Sequence, residues 1–219
     1  MARIAEDLLL LLLDNPKAQP ALDRSRLSRV LAAALILDLA YDCRVRPAQP
    51  HEPVAAGELM ALAGPVPMDP AVRPALAMLA GGPLSARSAI AGLGKRAQDD
   101  VLDQLLRTGE LHQVALTSHR LRRNSYRWPL HDRVRVDQIR ATALAALFEQ
   151  HRPDAVTAAV IALLLRAGCL NTVLNLNDDG AQRAAQRAEM IASGGWADGS
   201  KTDEVNLAVT AAVVLPALV

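Results

Sequence analysis

The stretch LDRSRLSRVLAAALILDLAYDC, residues 22–43, decides the fold class of this chain. Leu27, Leu31, Leu35 and Leu39 recur at helical spacing, which stacks them on one face of an α-helix. Asp23 or Ser25 is a fitting N-cap, because a short side-chain oxygen can accept from the free amides of a first turn. Asp38 sits inside the apolar part. A carboxylate there needs a partner, and a structural ion pair with an Arg is expected rather than a catalytic acid.

The same reading extends outward. The chain has 219 residues, of which 51% are hydrophobic and only 2% aromatic, so the apolar mass is Ala, Leu, Val and Ile. Ala and Leu are strong helix formers, and this content excludes general disorder. Helices are expected at 3–14, 69–80, 85–93, 96–107, 132–151, 154–166, 181–193 and 202–215. Asp69-Pro70 starts one of them, with Pro at the first helical position, and Gly81-Gly82-Pro83 stops it. Residues 44–68 are rich in Pro and read as loop, with a short strand near Arg44 to Arg46. Residues 110–116 and 121–128 alternate loosely around Thr117-Ser118-His119, which predicts a β-hairpin. No repeat and no dividing linker is visible, so one domain over 1–219 is expected.

Charge and cysteine narrow the function classes. The formal net charge is +1, which does not indicate a globally basic nucleic-acid binder. Leu8 to Leu13 is a run of six leucines, but Glu6, Asp7 and Asp14 flank it and no small-residue cleavage site follows. The run is also too short to span a bilayer. Cys43 and Cys169 belong to no CxxC. Free buried thiols fit a reducing cytoplasm, while the sequence leaves a disulfide between them open.

Catalytic and metal motifs fail on inspection. Gly94-Lys95 resembles the end of a phosphate loop, but Ala89 stands where the earlier Gly belongs and Arg96 replaces the Ser or Thr. Asn175, Asn177, Asp179 and Gly180 resemble half a calcium loop, but Gln186 cannot supply the closing carboxylate, so a capping turn is expected. His51, His112, His119, His131 and His151 show no HExxH and no close ligand spacing. No catalytic residue, metal or cofactor is assigned, and the chain is not read as an enzyme.

The strongest local signal is electrostatic. Between His119 and Arg140 stand seven arginines (120, 122, 123, 127, 133, 135 and 140) against Asp132 and Asp137, with Tyr126 and Trp128 among them. This composition suits an anionic lipid surface, where each cation contributes on the order of 1 kcal/mol. It also suits nucleic-acid phosphates, or simply a solvated Arg-rich hairpin. A helix, the Gly109 turn and a basic hairpin resemble a winged-helix unit. The helix that would then read DNA carries Asp99, Asp100 and Asp103, which repel phosphates.

Several segments together resemble the Golgi phosphoprotein 3 family. They are AEDLLLLLLD (5–14), RLSRVLAAALILDLA (26–40) with Arg44 after it, VLDQLLRTGEL (101–111), YRWPL (126–130) and VNLAVTAAV (205–213), in the family's order over nearly the whole chain. The resemblance implies a mainly α fold, a compact single helical domain with a protruding β-hairpin. Eukaryotic members bind phosphatidylinositol 4-phosphate and serve as peripheral membrane adaptors for Golgi glycosyltransferases, without being enzymes. The implied partners are therefore anionic phospholipid or phosphoinositide headgroups and membrane-protein clients. The implied place is the cytoplasm, peripherally on the membrane.

In this matching the family's pocket Trp and Arg fall at Asp23 and Ala32, and its Arg-x-x-Arg falls at Lys95 and Gln98. Arg24, Arg29, Lys95 and Arg96 are close enough in sequence to form a rearranged headgroup site. The family's hairpin inserts into membranes or dimerises. Here Arg120, Leu121, Arg122, Arg123, Tyr126, Arg127 and Trp128 are its counterpart and favour surface charge contact. A homo-oligomer through this hairpin is the remaining partner expectation, and nucleic acid is disfavoured.

Overall fold

Helix α1 (Ile4–Leu13) and helix α2 (Arg24–Tyr41) form the centre of the molecule, and every leucine from 8 to 13 is at most 2% exposed. A helix that is apolar on all sides needs neighbours on all sides. For α1 these are α2, α5 (Ala97–Arg107), α6 (Val134–Phe148) and α7 (Ala155–Arg166). Helix α10 (Thr202–Val214) and helix α4 (Ala86–Leu93) lie along α2. Helix α3 (Arg73–Ala80) packs beside α4, and α9 (Asp178–Ala192) covers α6 and α7. The computed structural model describes residues 4–116, 125–149 and 151–219. The fold is mainly α, as the sequence indicates, with 59% of residues helical.

The predicted helices are found within a few residues of their expected ends, and three features were not foreseen. The short strand expected near Arg44 to Arg46 is β1 (Val45–Pro47), and it pairs antiparallel with an unexpected second strand, β2 (Leu59–Ala61), Arg46 lying opposite Met60. A five-residue helix, α8 (Leu170–Leu174), follows the break at Gly168. The chain closes in a 3-10 turn over Leu215–Leu218. The half calcium loop is a cap: the Asn177 side chain accepts from the Gly180 amide at 2.9 Å and starts α9. Both cysteines are free thiols, Cys43 half-buried and Cys169 buried, and burial pushes Cys169 up to about 11.

Asp38 corrects the expectation of an arginine partner. It is buried within α2, and its two oxygens accept from the backbone amides of Ile4 at 2.7 Å and Ala5 at 3.0 Å. The first amides of a helix have no acceptor inside it, so Asp38 acts as a cap supplied from 34 residues away in sequence. Burial pushes its pKa up to about 8, against the opposing pull of the two amides. An unfolded aspartate has a pKa of about 3.9. The folded state therefore holds the proton over the interval between, and the associated stability is lost as pH rises through it. Unfolding free energy is expected to fall on the order of 1 kcal/mol per pH unit from about pH 5 to 8, and then to level off. Denaturant melts of the wild type and Asp38→Asn across that range check this. A wild-type slope identical to that of the variant refutes it.

Candidate functional site

The N-terminal end of α2 is built by its cap. The Asp23 side chain accepts from the amides of Ser25 and Arg26, each at 3.0 Å, and sets the first turn. That turn presents Arg24 and Ser25, and the next presents Ser28 and Arg29. Across from them α4 ends at Gly94, where an added Cβ would lie 3.4 Å from the Ser28 carbonyl oxygen and 3.1 Å from that of Ile90. This close approach of two helices carries Lys95 to the mouth of the same groove. Arg24, Ser25, Ser28, Arg29, Gly94 and Lys95 line it, and its volume is about 420 Å³.

Arg24 and Lys95 are exposed and Arg29 is half-buried. Among the described residues none of the three pairs with a carboxylate. Nη2 of Arg29 donates to the Ala217 carbonyl at 3.1 Å, which fixes the guanidinium between this groove and a smaller one of about 290 Å³. The smaller groove adds Arg26 and Arg166. Arg26 lies 3.4 Å from Asp23, and Arg166 is held in a two-pronged pair with Glu189 at 3.0 and 2.8 Å.

Of the four residues expected at this site, three come together and Arg96 does not. Arg96 precedes α5 and lines a different groove with Asp100, Asp103 and Arg107, its guanidinium 3.3 Å from Asp100. The turn after Gly94 separates neighbours in sequence onto different surfaces. Arg26 and Arg166 were missed. Arg26 was hidden by its neighbours, and no sequence signal links Arg166 to α2.

The hairpin is present, with β3 (Val114–Leu116) antiparallel to β4 (Ser125–Arg127) and a further bridge between Leu111 and Leu130. Arg120, Leu121, Arg122 and Arg123 lie outside the described residues. Arg127 is exposed, whereas Tyr126 and Trp128 are half-buried with ring centroids 6.5 Å apart. Trp128 packs against the core, and its amide donates to the Ala18 carbonyl at 2.8 Å. The hairpin's base is thus pinned to the turn after α1.

Three of the arginines between residues 119 and 140 are balanced in space by acids that lie outside that stretch. Arg133 and Arg140 reach Asp14 at 2.9 and 2.6 Å. Arg135 contacts Asp7 at 2.6 Å, Glu110 at 2.9 Å and Glu6 at 3.0 Å. These arginines hold α6 against α1. A cleft of about 480 Å³ opens beside them, and Tyr41, Asp154 and Thr157 are among the residues that line it. Asp154 is occupied as the cap of α7, accepting from the amide and hydroxyl of Thr157 at 2.8 and 3.1 Å. Burial raises the Tyr41 phenol pKa, and Asp203, Glu204 and Asp154 add to the effect. Among the described residues no group of three or more His, Cys, Asp or Glu could hold a metal ion, and no helix is long and apolar enough to cross a membrane.

Helices wrapped around an apolar central pair, with a basic groove at one end of that pair and a strand hairpin, define a mainly α class of protein. The family model for Golgi phosphoprotein 3 (GPP34) matches residues 4–210, and the chain belongs to that family. The family is not a known enzyme family, and membership is consistent with a lipid-binding or membrane-associated role. No curated protein matches the chain.

Proposed function

We propose that the chain is a non-enzymatic peripheral membrane protein that docks on anionic phospholipid through Arg24, Arg29 and Lys95. The observation that carries this reading is their convergence on one open groove, without carboxylate partners among the described residues. Arg133, Arg135 and Arg140, by contrast, are consumed by acids inside the fold. Ser25 and Ser28 add hydroxyl donors suited to phosphate oxygens. Phosphatidylinositol 4-phosphate is the headgroup the family suggests. The exposed Arg127 gives the hairpin a secondary contact with the surface. The protein would act as a single domain on the cytoplasmic face of a membrane. Membrane-protein clients and self-association through the hairpin are the partners in keeping with this role.

Vesicle flotation tests the reading. The chain is expected to float with vesicles containing phosphatidylglycerol or phosphatidylinositol 4-phosphate, and to remain behind with phosphatidylcholine alone. Raising the salt should release it, because screening shortens to about 3 Å at 1 M. Equal flotation on neutral and anionic vesicles, or none at low salt, sinks the proposal.

A further inference from the structure

His112 and His131 are 19 residues apart in sequence and meet at the base of the hairpin. They flank the bridge between Leu111 and Leu130. Backbone bonds fix both positions: the His112 amide donates to the Pro129 carbonyl at 2.9 Å, and the His131 amide to that of Glu110 at 2.8 Å. The two exposed rings converge. Nε2 of His112 lies 2.9 Å from Nδ1 of His131, with ring centroids 5.0 Å apart and planes at 64°. In the neutral pair one of these nitrogens carries a proton and the other accepts it. The nearest carboxylates in sequence have other roles. Glu110 pairs with Arg135, and Asp132 accepts from the Val134 amide at 2.9 Å.

We propose that His112 and His131 form a two-imidazole site for a divalent transition-metal ion that prefers nitrogen, Cu²⁺ or Ni²⁺, which clamps the base of the hairpin. The two ring nitrogens that face each other are the donor atoms, already close to the spacing of adjacent ligands on one metal. Metal–imidazole bonds of about 2.05 Å set at a right angle place the two nitrogens about 2.9 Å apart, whereas a tetrahedral angle requires about 3.3 Å. The metal-free 2.9 Å is the length of a hydrogen bond between the rings and lies within a few tenths of an ångström of both values, so Cu²⁺ and Ni²⁺ are named for their place in the usual order of affinities at nitrogen ligands. The metal takes the place of the shared proton, which moves to the bare outer nitrogen of the ring that donated it. Both rings stay neutral with their protons on the outer nitrogens, Nδ1 of His112 and Nε2 of His131, and no proton is released overall. Water completes the coordination. Because the two ligands adjoin the Leu111–Leu130 bridge from its two sides, occupancy ties residues 112 and 131 together and stiffens the hairpin root.

Copper titration of the full chain, free of any histidine tag, tests the site by calorimetry and electron paramagnetic resonance. One Cu²⁺ per chain is expected, with a spectrum showing two imidazole nitrogens. Affinity is expected to fall at least tenfold in His112→Ala and at least tenfold in His131→Ala. Ni²⁺ is expected to bind the same pair more weakly, in line with the usual order of affinities. Circular dichroism of the metal-free variants should match the wild type, since both rings are exposed; His112→Gln serves in place of any variant that does not. Unchanged affinity in the double variant, or a spectrum with a single imidazole nitrogen, overturns the proposal.

Discussion

Arg135→Ala is expected to lower the unfolding free energy by about 3 kcal/mol, at the lower end of the range for breaking a buried ion pair. The side chain is only 22% exposed, and its fork serves three acids at once. Nε and Nη2 donate to Oδ1 of Asp7 at 2.9 and 2.6 Å, while Nη1 donates to Glu6 at 3.0 Å and Glu110 at 2.9 Å. Burial alone would lower the pKa of this guanidinium, but Asp7, Glu110 and Glu6 outweigh it and hold the charge in place. Removing the cation takes away a contact shared by α1, α6 and the residue that ends the α5 turn. For a chain of this length the loss corresponds to roughly 6–12 °C in melting temperature. Arg135→Lys should recover less than half of it, since an ammonium cannot reproduce the planar fork. An unchanged denaturation midpoint in Arg135→Ala would show that the acids of α1 do not depend on this side chain.

The second large effect concerns binding. Replacing Arg24, Arg29 and Lys95 together by Gln is expected to weaken association with anionic vesicles about 100-fold, at about 1 kcal/mol per cation. The fold should tolerate the change, because Arg24 and Lys95 are exposed and Arg29 gives up one bond to the Ala217 carbonyl. Arg96→Gln and Arg133→Gln are the matched controls. Each removes a positive charge already balanced by Asp100 or Asp14, and binding should stay within about twofold. A triple variant that binds as well as the wild type removes the groove from the membrane contact. Controls that lose as much as the triple variant mean that net charge alone is being read.

Local order in this protein is written in local sequence. The leucines of α2, the Asn177 cap and the stop after Ala80 each depend on residues a few positions apart, and each is readable on that account. The strand pair β1–β2 is not, because Val45 finds its partner at Ala61 across a Pro-containing segment and neither strand exceeds three residues. The basic residues that follow the hairpin mislead for the same reason. Arg133, Arg135 and Arg140 look unbalanced beside Asp132 and Asp137, yet their counter-ions in α1 and just after it lie 119 to 129 residues away. Lys95 and Arg96 show the converse. Adjacent in the chain, they line different grooves, since one turn at Gly94 separates them. The partner of Asp38 was misjudged because a side-chain ion pair is the usual solution for a buried carboxylate. The beginning of another helix is a rarer one.

That last contact bears on how the protein is made. The leucine run of α1 leaves the ribosome before any of the surface that will cover it. Its covering helix α2 ends at Tyr41, and the acceptor for the first amides of α1 is Asp38, near that end. Until those residues have emerged, six consecutive leucines remain uncovered, the kind of transient apolar surface that aggregates or engages chaperones. Synthesis of α2 therefore sets the earliest moment at which α1 can be put away. Asp38 ties the two events together, since it sits on the helix that does the covering and closes the end of the helix that is covered.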